Sequence, residues 1–122
     1  MPWASMETTI WNRAALSVGS EVWLAGDRRL CATLRMHGLI MNGGVLHALR
    51  GLAPKEAEES RDAYRAFGLE AIAALLSNAE AGQLDEASAD RQYEAVVGDD
   101  SVLEEAFLRD RAKHPEHYGA VE

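Results

Sequence analysis

The chain has 122 residues, one cysteine and a formal net charge of −8, from twelve basic and twenty acidic side chains. That length supports one domain with its own hydrophobic core. The lone Cys31 excludes an internal disulfide and fits a reducing, cytoplasmic interior. Most of the surface is too acidic to bind nucleic acid directly, and no apolar run reaches the roughly 20 residues of a membrane-crossing helix.

Alanine, leucine, glutamate and arginine dominate while β-branched residues and aromatics are sparse, a balance that favours helix. The opening residues, Met1 to Glu7, show neither the basic nor the apolar region of a secretory leader, and none is expected. Ser5 to Val18 predicts a first helix, capped by Ser5, with Met6, Ile10, Ala14 and Val18 along one stripe. Gly19-Ser20 breaks it, and Ser20 is placed to cap a short turn holding Val22, Trp23 and Leu24. Trp3, Trp11 and Trp23 read as core and seam packing.

Asp27 reads as the N-cap of a second helix reaching His37. Leu30, Cys31 and Leu34 turn inward and Arg28, Arg29 and Arg35 outward, with Cys31 as a small buried apolar group. Gly38 suits the left-handed stop after a helix, although the same helix could run on to Met41. Asn42 is then expected to cap a further helix from Gly43 to Arg50, ended by Gly51 and Pro54. Gly43 and Gly44 would let another element come close.

Lys55–Phe67 is a charged amphipathic helix with Ala57, Ala63, Tyr64 and Phe67 inward. Leu69–Glu80, with Leu69, Ile72, Leu75, Leu76 and Ala79 at helical spacing, is the clearest core helix. Asp85–Val97 predicts another, with Tyr93, Val96 and Val97 apolar. Gly98-Asp99-Asp100-Ser101 offers caps for Val102–Lys113, and His114-Pro115 stops that helix because the residue before proline avoids helical dihedrals. The chain should end in an extended tail over residues 114–122. The expectation is therefore an all-α single domain of six or seven helices: an N-terminal helix region (1–22), a core (23–113) and the tail.

No sequence motif names a reaction. His37, Asn42 and His47 are the candidates for a small-ligand or enzyme pocket, yet His-Glu-x-x-His, paired-cysteine and calcium-loop patterns are all absent. No metal and no cofactor are expected. The bland alternative ties each imidazole to a backbone carbonyl at a helix end. In His114-Pro115-Glu116-His117 the histidines stand three apart, but the proline argues against a helical ligand pair, and the segment reads as surface.

Charge is distributed unevenly. Residues 1–50 hold five arginines against three acids, whereas residues 51–122 hold seven basic side chains against seventeen acids. Between Glu80 and Glu105 stand Asp85, Glu86, Asp90, Glu94, Asp99, Asp100 and Glu104, opposed by Arg91 alone. Glu86, Asp90 and Glu94 are spaced i, i+4, i+8 on one helix face, where like charges cost some tenths of a kcal/mol per pair. Asp85, Glu86, Asp90, Glu94, Asp99, Asp100, Glu104 and Glu105 are thus the candidate contacts for a basic protein partner. The alternative is a face that serves solubility alone.

The run Asn42-Gly43-Gly44, with Ala63-Tyr64-Arg65-Ala66-Phe67-Gly68-Leu69-Glu70-Ala71-Ile72-Ala73-Ala74-Leu75-Leu76 downstream, resembles a family of small all-helical bacterial domains. That family carries an Asn-Gly-Gly-aromatic turn and an alanine-rich helix, and it includes DNA-mimic proteins. The likeness spans Trp23 to Tyr118. It departs where Val45 and His47-Ala48 replace the family's aromatics. The resemblance implies an all-helical fold and a non-enzymatic, protein-binding role in which acidic residues imitate DNA. An immunity-type protein that neutralises a basic toxin would share that face.

Overall fold

The structure, a computed structural model, describes residues 5–17 and 23–120. These residues form seven α-helices: α1 (Ser5–Ala15), α2 (Ala25–Gly43), α3 (Val45–Gly51), α4 (Pro54–Ala66), α5 (Glu70–Glu80), α6 (Glu86–Val96) and α7 (Asp100–Lys113). A 3-10 turn, Pro115–His117, follows α7, and no strand occurs among the described residues. The all-α bundle matches the sequence reading. The expected caps at Ser5 and Ser20, and the packing of Trp3, Val18 and Val22, lie outside the described residues and side chains.

The 19-residue α2 is the axis of the bundle, packing on α1, α3, α4 and the terminal turn. It does not stop at Gly38, which is exposed in mid-helix with open space where a side chain would stand. A single interior glycine costs about 1 kcal/mol. Burial of Met36, His37 and Ile40 around it outweighs that, since one fully buried side chain of Met size is worth roughly 1.5–3 kcal/mol. The extension the sequence allowed, to Met41, falls two residues short of the observed end.

Nor is Asp27 the N-cap of α2. The helix begins at Ala25, and Asp27 sits one position short of completing its first turn. From there its Oδ2 accepts the Leu24 N–H at 2.9 Å. α4 starts by the same device: Pro54 occupies the first helical position, where its missing N–H is harmless, and Glu56 Oε1 accepts the Ala53 N–H at 3.0 Å.

Two hydrophobic clusters fill the interior. The larger gathers Met36, Ile40, Val45, Tyr64, Ile72, Leu76, Tyr93 and Leu103 from α2 through α7. The smaller joins Ile10 and Ala14 of α1 to Leu30, Phe67, Phe107 and Tyr118. Trp11, Leu34 and Leu69 pack against both. Trp11 thereby takes the seam role expected of it, its ring 5.9 Å from that of Phe107. Trp23 is half-buried, and so is Cys31, which packs beside the smaller cluster.

The chain beyond α7 does not trail away. Tyr118 and Gly119 are buried, and the Tyr118 hydroxyl donates to Asp110 Oδ2 at 2.6 Å. Gly26 makes room for this return: a Cβ there would stand 2.7 Å from both the His117 carbonyl oxygen and the Tyr118 ring.

Candidate partner-binding face

The Asn-Gly-Gly turn joins α2 to α3, and a distant carboxylate completes it. Gly44 has φ +95° and ψ 171°, a region open essentially to glycine alone, and its N–H donates to the Ile40 carbonyl at 2.6 Å. The Val45 N–H, first in α3, donates to Asp90 Oδ1 of α6 at 2.8 Å. A Cβ on Gly44 would lie 2.9 Å from Asp90 Oδ2. The open backbone and the close approach therefore both require glycine here. Asn42, expected as the cap, is instead exposed within α2. A charged carboxylate supplied by α6 meets the positive end of α3 in its place.

His37, Asn42 and His47 do not converge. The His37 ring is buried and engaged at both nitrogens, with Nδ1 2.8 Å from the Tyr93 hydroxyl and Nε2 2.9 Å from Asp100 Oδ1. Its partners are side chains, not the backbone carbonyls expected. Tyr93 in turn meets the Tyr64 hydroxyl at 2.8 Å, so four polar side chains from α2, α4, α6 and α7 form one chain of contacts. Burial first, and the Tyr93 neighbour second, pushes the Tyr64 hydroxyl well up from its ordinary range; burial likewise pushes Tyr93 up. Both hydroxyls stay protonated, a condition for tying helices together and not for activating a nucleophile. His47 stands elsewhere, exposed on α3 with its ring over Gly43.

Asn42 does border a cleft. About 300 Å³ of space lies between the end of α2 and α6, lined by Met41, Asn42, Gly44, Asp90, Glu94 and Gly98. Met41 is 61 % exposed there, a large apolar side chain beside carboxylates.

The eight acidic candidates divide by what they touch. Asp85 accepts the Ser88 N–H at 2.7 Å and caps α6, while Asp99 accepts the Ser101 N–H at 2.8 Å and caps α7. Those hydrogen bonds hold both exposed carboxyls below the usual aspartate range, so capping and surface charge coexist. Asp90 is turned against Val45 and Asp100 against His37. Glu86, Glu94 and Glu105 are exposed and Glu104 half-buried, and none of the four pairs with a cation among the described residues. Glu80, at the start of the acidic stretch, pairs with Arg61.

Two arrangements escaped the sequence reading. Arg13 of α1 is buried against Asp27 at 2.6 Å, its guanidinium also reaching the Gly119 and Ala120 carbonyls at 3.2 Å; the Gly119 N–H donates to Asp27 Oδ2 at 2.6 Å. The second lies just past α7, where His114, Glu116 and His117 gather with one nitrogen or oxygen from each within 4.8 Å of the others. The i, i+3 histidine spacing is visible in the sequence, but the turn that carries it is 3-10 and does not follow the period of an α-helix.

A family model described as DMP19-like protein matches residues 24–117. No curated protein and no solved structure matches the chain.

Proposed function

The chain belongs to the DMP19-like protein family, and from that premise we propose that it is a non-enzymatic protein-binding module. Its α6–α7 carboxylates meet a basic, DNA-binding partner as a DNA mimic would. The observation that carries this reading is the imbalance from Glu80 to Glu105, nine carboxylates against Arg91. Glu86, Glu94, Glu104 and Glu105 pair with no cation among the described residues, and Asp85 and Asp99 are held ionised by their caps.

An isolated acidic face repels itself, a cost of some tenths of a kcal/mol for each close pair that a cationic partner would remove. The cleft beside Met41 and Glu94 suits a long basic side chain, whose aliphatic stem would lie on the methionine while its head meets the carboxylate. Such an interface associates quickly and weakens steeply with salt.

The test is affinity capture from the source cells at low and high salt, followed by challenge with duplex DNA. A basic partner held at low salt, released by salt and displaced by DNA supports mimicry. A partner that salt releases but DNA leaves in place indicates a neutralised toxin or another basic protein instead. Capture undiminished by Glu86→Gln, Glu94→Gln, Glu104→Gln and Glu105→Gln together rules the acidic face out.

A further inference from the structure

The geometry points to a transition-metal site formed by His114, Glu116 and His117, one that takes zinc-class divalent cations in preference to magnesium or calcium. It is independent of the partner-binding face. Pro115 creates the arrangement. Its fixed φ and missing N–H suit the first position of a helical turn, and the turn it starts is 3-10, not α. A 3-10 helix has three residues per turn, so side chains at i and i+3 eclipse one another. His114 and His117 accordingly stack, with ring centroids 4.6 Å apart and planes 14° from parallel. The proline that argues against an α-helical pair thus produces a closer one.

The donor atoms fit an ion of this class. His114 Nδ1 lies 3.5 Å and His117 Nε2 lies 3.7 Å from the same atom, Glu116 Oε2. Ligands about 2.0–2.1 Å from a tetrahedral zinc stand roughly 3.3–3.4 Å from each other, so both separations are within a few tenths of the required edge. The third, between the two imidazoles, needs closure from within 4.8 Å. The near-parallel rings must also turn so that both lone pairs meet one ion, and rotation of the exposed His114 side chain can supply both changes.

The His117 Nδ1 is sealed from solvent with no hydrogen-bond partner among the described residues, which leaves Nε2 as the nitrogen this residue offers to an ion. Two imidazoles and one carboxylate are a donor set for zinc, nickel or copper; magnesium and calcium want oxygen alone. Three protein ligands leave the fourth position to water.

The experiment is a calorimetric titration of Zn²⁺ into the full chain, free of any polyhistidine tag, with Mg²⁺ as control. One Zn²⁺ per chain is expected, with no heat from Mg²⁺ and a melting temperature raised by zinc. His114→Ala and Glu116→Gln, both at exposed positions, should each weaken zinc by more than the roughly 10–100-fold lost when a mere neighbour of a ligand is removed. Cys31→Ser and His47→Ala should leave it unchanged. Absence of saturable binding, binding that survives His114→Ala, or binding lost with His47→Ala would each overturn the assignment.

Discussion

Arg13 and Asp27, fourteen residues apart, form a 2.6 Å ion pair that is almost wholly removed from solvent, at 9 % and 1 % exposure. Burying the pair is costly, so its presence says less about stability than its loss would. Asp27 also accepts the Leu24 and Gly119 N–H groups, and Arg13 donates to the Gly119 and Ala120 carbonyls. The pair thereby fastens α1, the start of α2 and the end of the described chain at one point.

Arg13→Ala is expected to destabilise the fold by about 3–5 kcal/mol, the usual cost of leaving one buried ion unpaired. For a chain of this size that is a fall of roughly 10–20 °C in melting temperature. Asp27→Ala should do similar damage. The double variant should cost less than the sum by about 0.5–3 kcal/mol, the range for residues in direct contact. Thermal melts of the four proteins in the cycle check this.

Gly44→Ala should cost about 1–3 kcal/mol for the strained backbone alone, and more because its methyl meets Asp90. Asp90→Ala should cost about 0.5–2 kcal/mol as a lost helix cap. Since Asp90→Ala also removes the atom that a new Cβ would strike, the double variant should again be milder than the sum. Urea denaturation midpoints measure all three.

All three tyrosines, Tyr64, Tyr93 and Tyr118, have hydroxyls pushed above the ordinary value of 10.0, in each case chiefly by burial. The folded state therefore holds these protons more tightly than the unfolded chain does. Their contribution is intact below about pH 10 and is lost as pH rises beyond it, with a limiting slope of about 1.4 kcal/mol per pH unit for each group. An absorbance titration should show no tyrosinate near pH 10. Ionisation should arrive together with unfolding at higher pH, whereas gradual ionisation of a folded protein would refute the burial argument.

Replacing Glu86, Glu94, Glu104 and Glu105 with glutamine should leave the melting temperature nearly unchanged, because surface substitutions of this kind fall within about 0.5 kcal/mol each. Binding to a basic partner should weaken sharply in the same protein. Asp90→Asn should do the reverse, lowering stability through the α3 cap with a smaller effect on the partner. Melts and binding isotherms on both variants separate the two roles.

What could be read in the sequence was what the chain decides locally. The cap at Asp99 stands beside the helix it serves, and the apolar spacing of Leu69, Ile72, Leu75 and Leu76 repeats at the helical period. The cap of α3 could not be read, because its carboxylate comes from Asp90, far along the chain, and Asn42 was the plausible local substitute. Gly38 misled because propensity weighs one residue while burial weighs its neighbours. Nothing local marks Arg13 as buried, because its burial depends on Asp27 and on the returning chain end at Gly119 and Ala120. The pairing of His114 with His117 is hidden from a 3.6-residue period because its turn is 3-10, with three residues.

The residues matched by the family end at 24 and 117. Asp27 lies inside that span, while Arg13, Gly119 and Ala120, which surround it, lie outside on both flanks. The shared segment thus carries a carboxylate whose stability depends on sequence that need not have been inherited with it. A descendant that lost either flank would be pressed to exchange the aspartate for a neutral residue, so the two ends and this one position should change together in evolution.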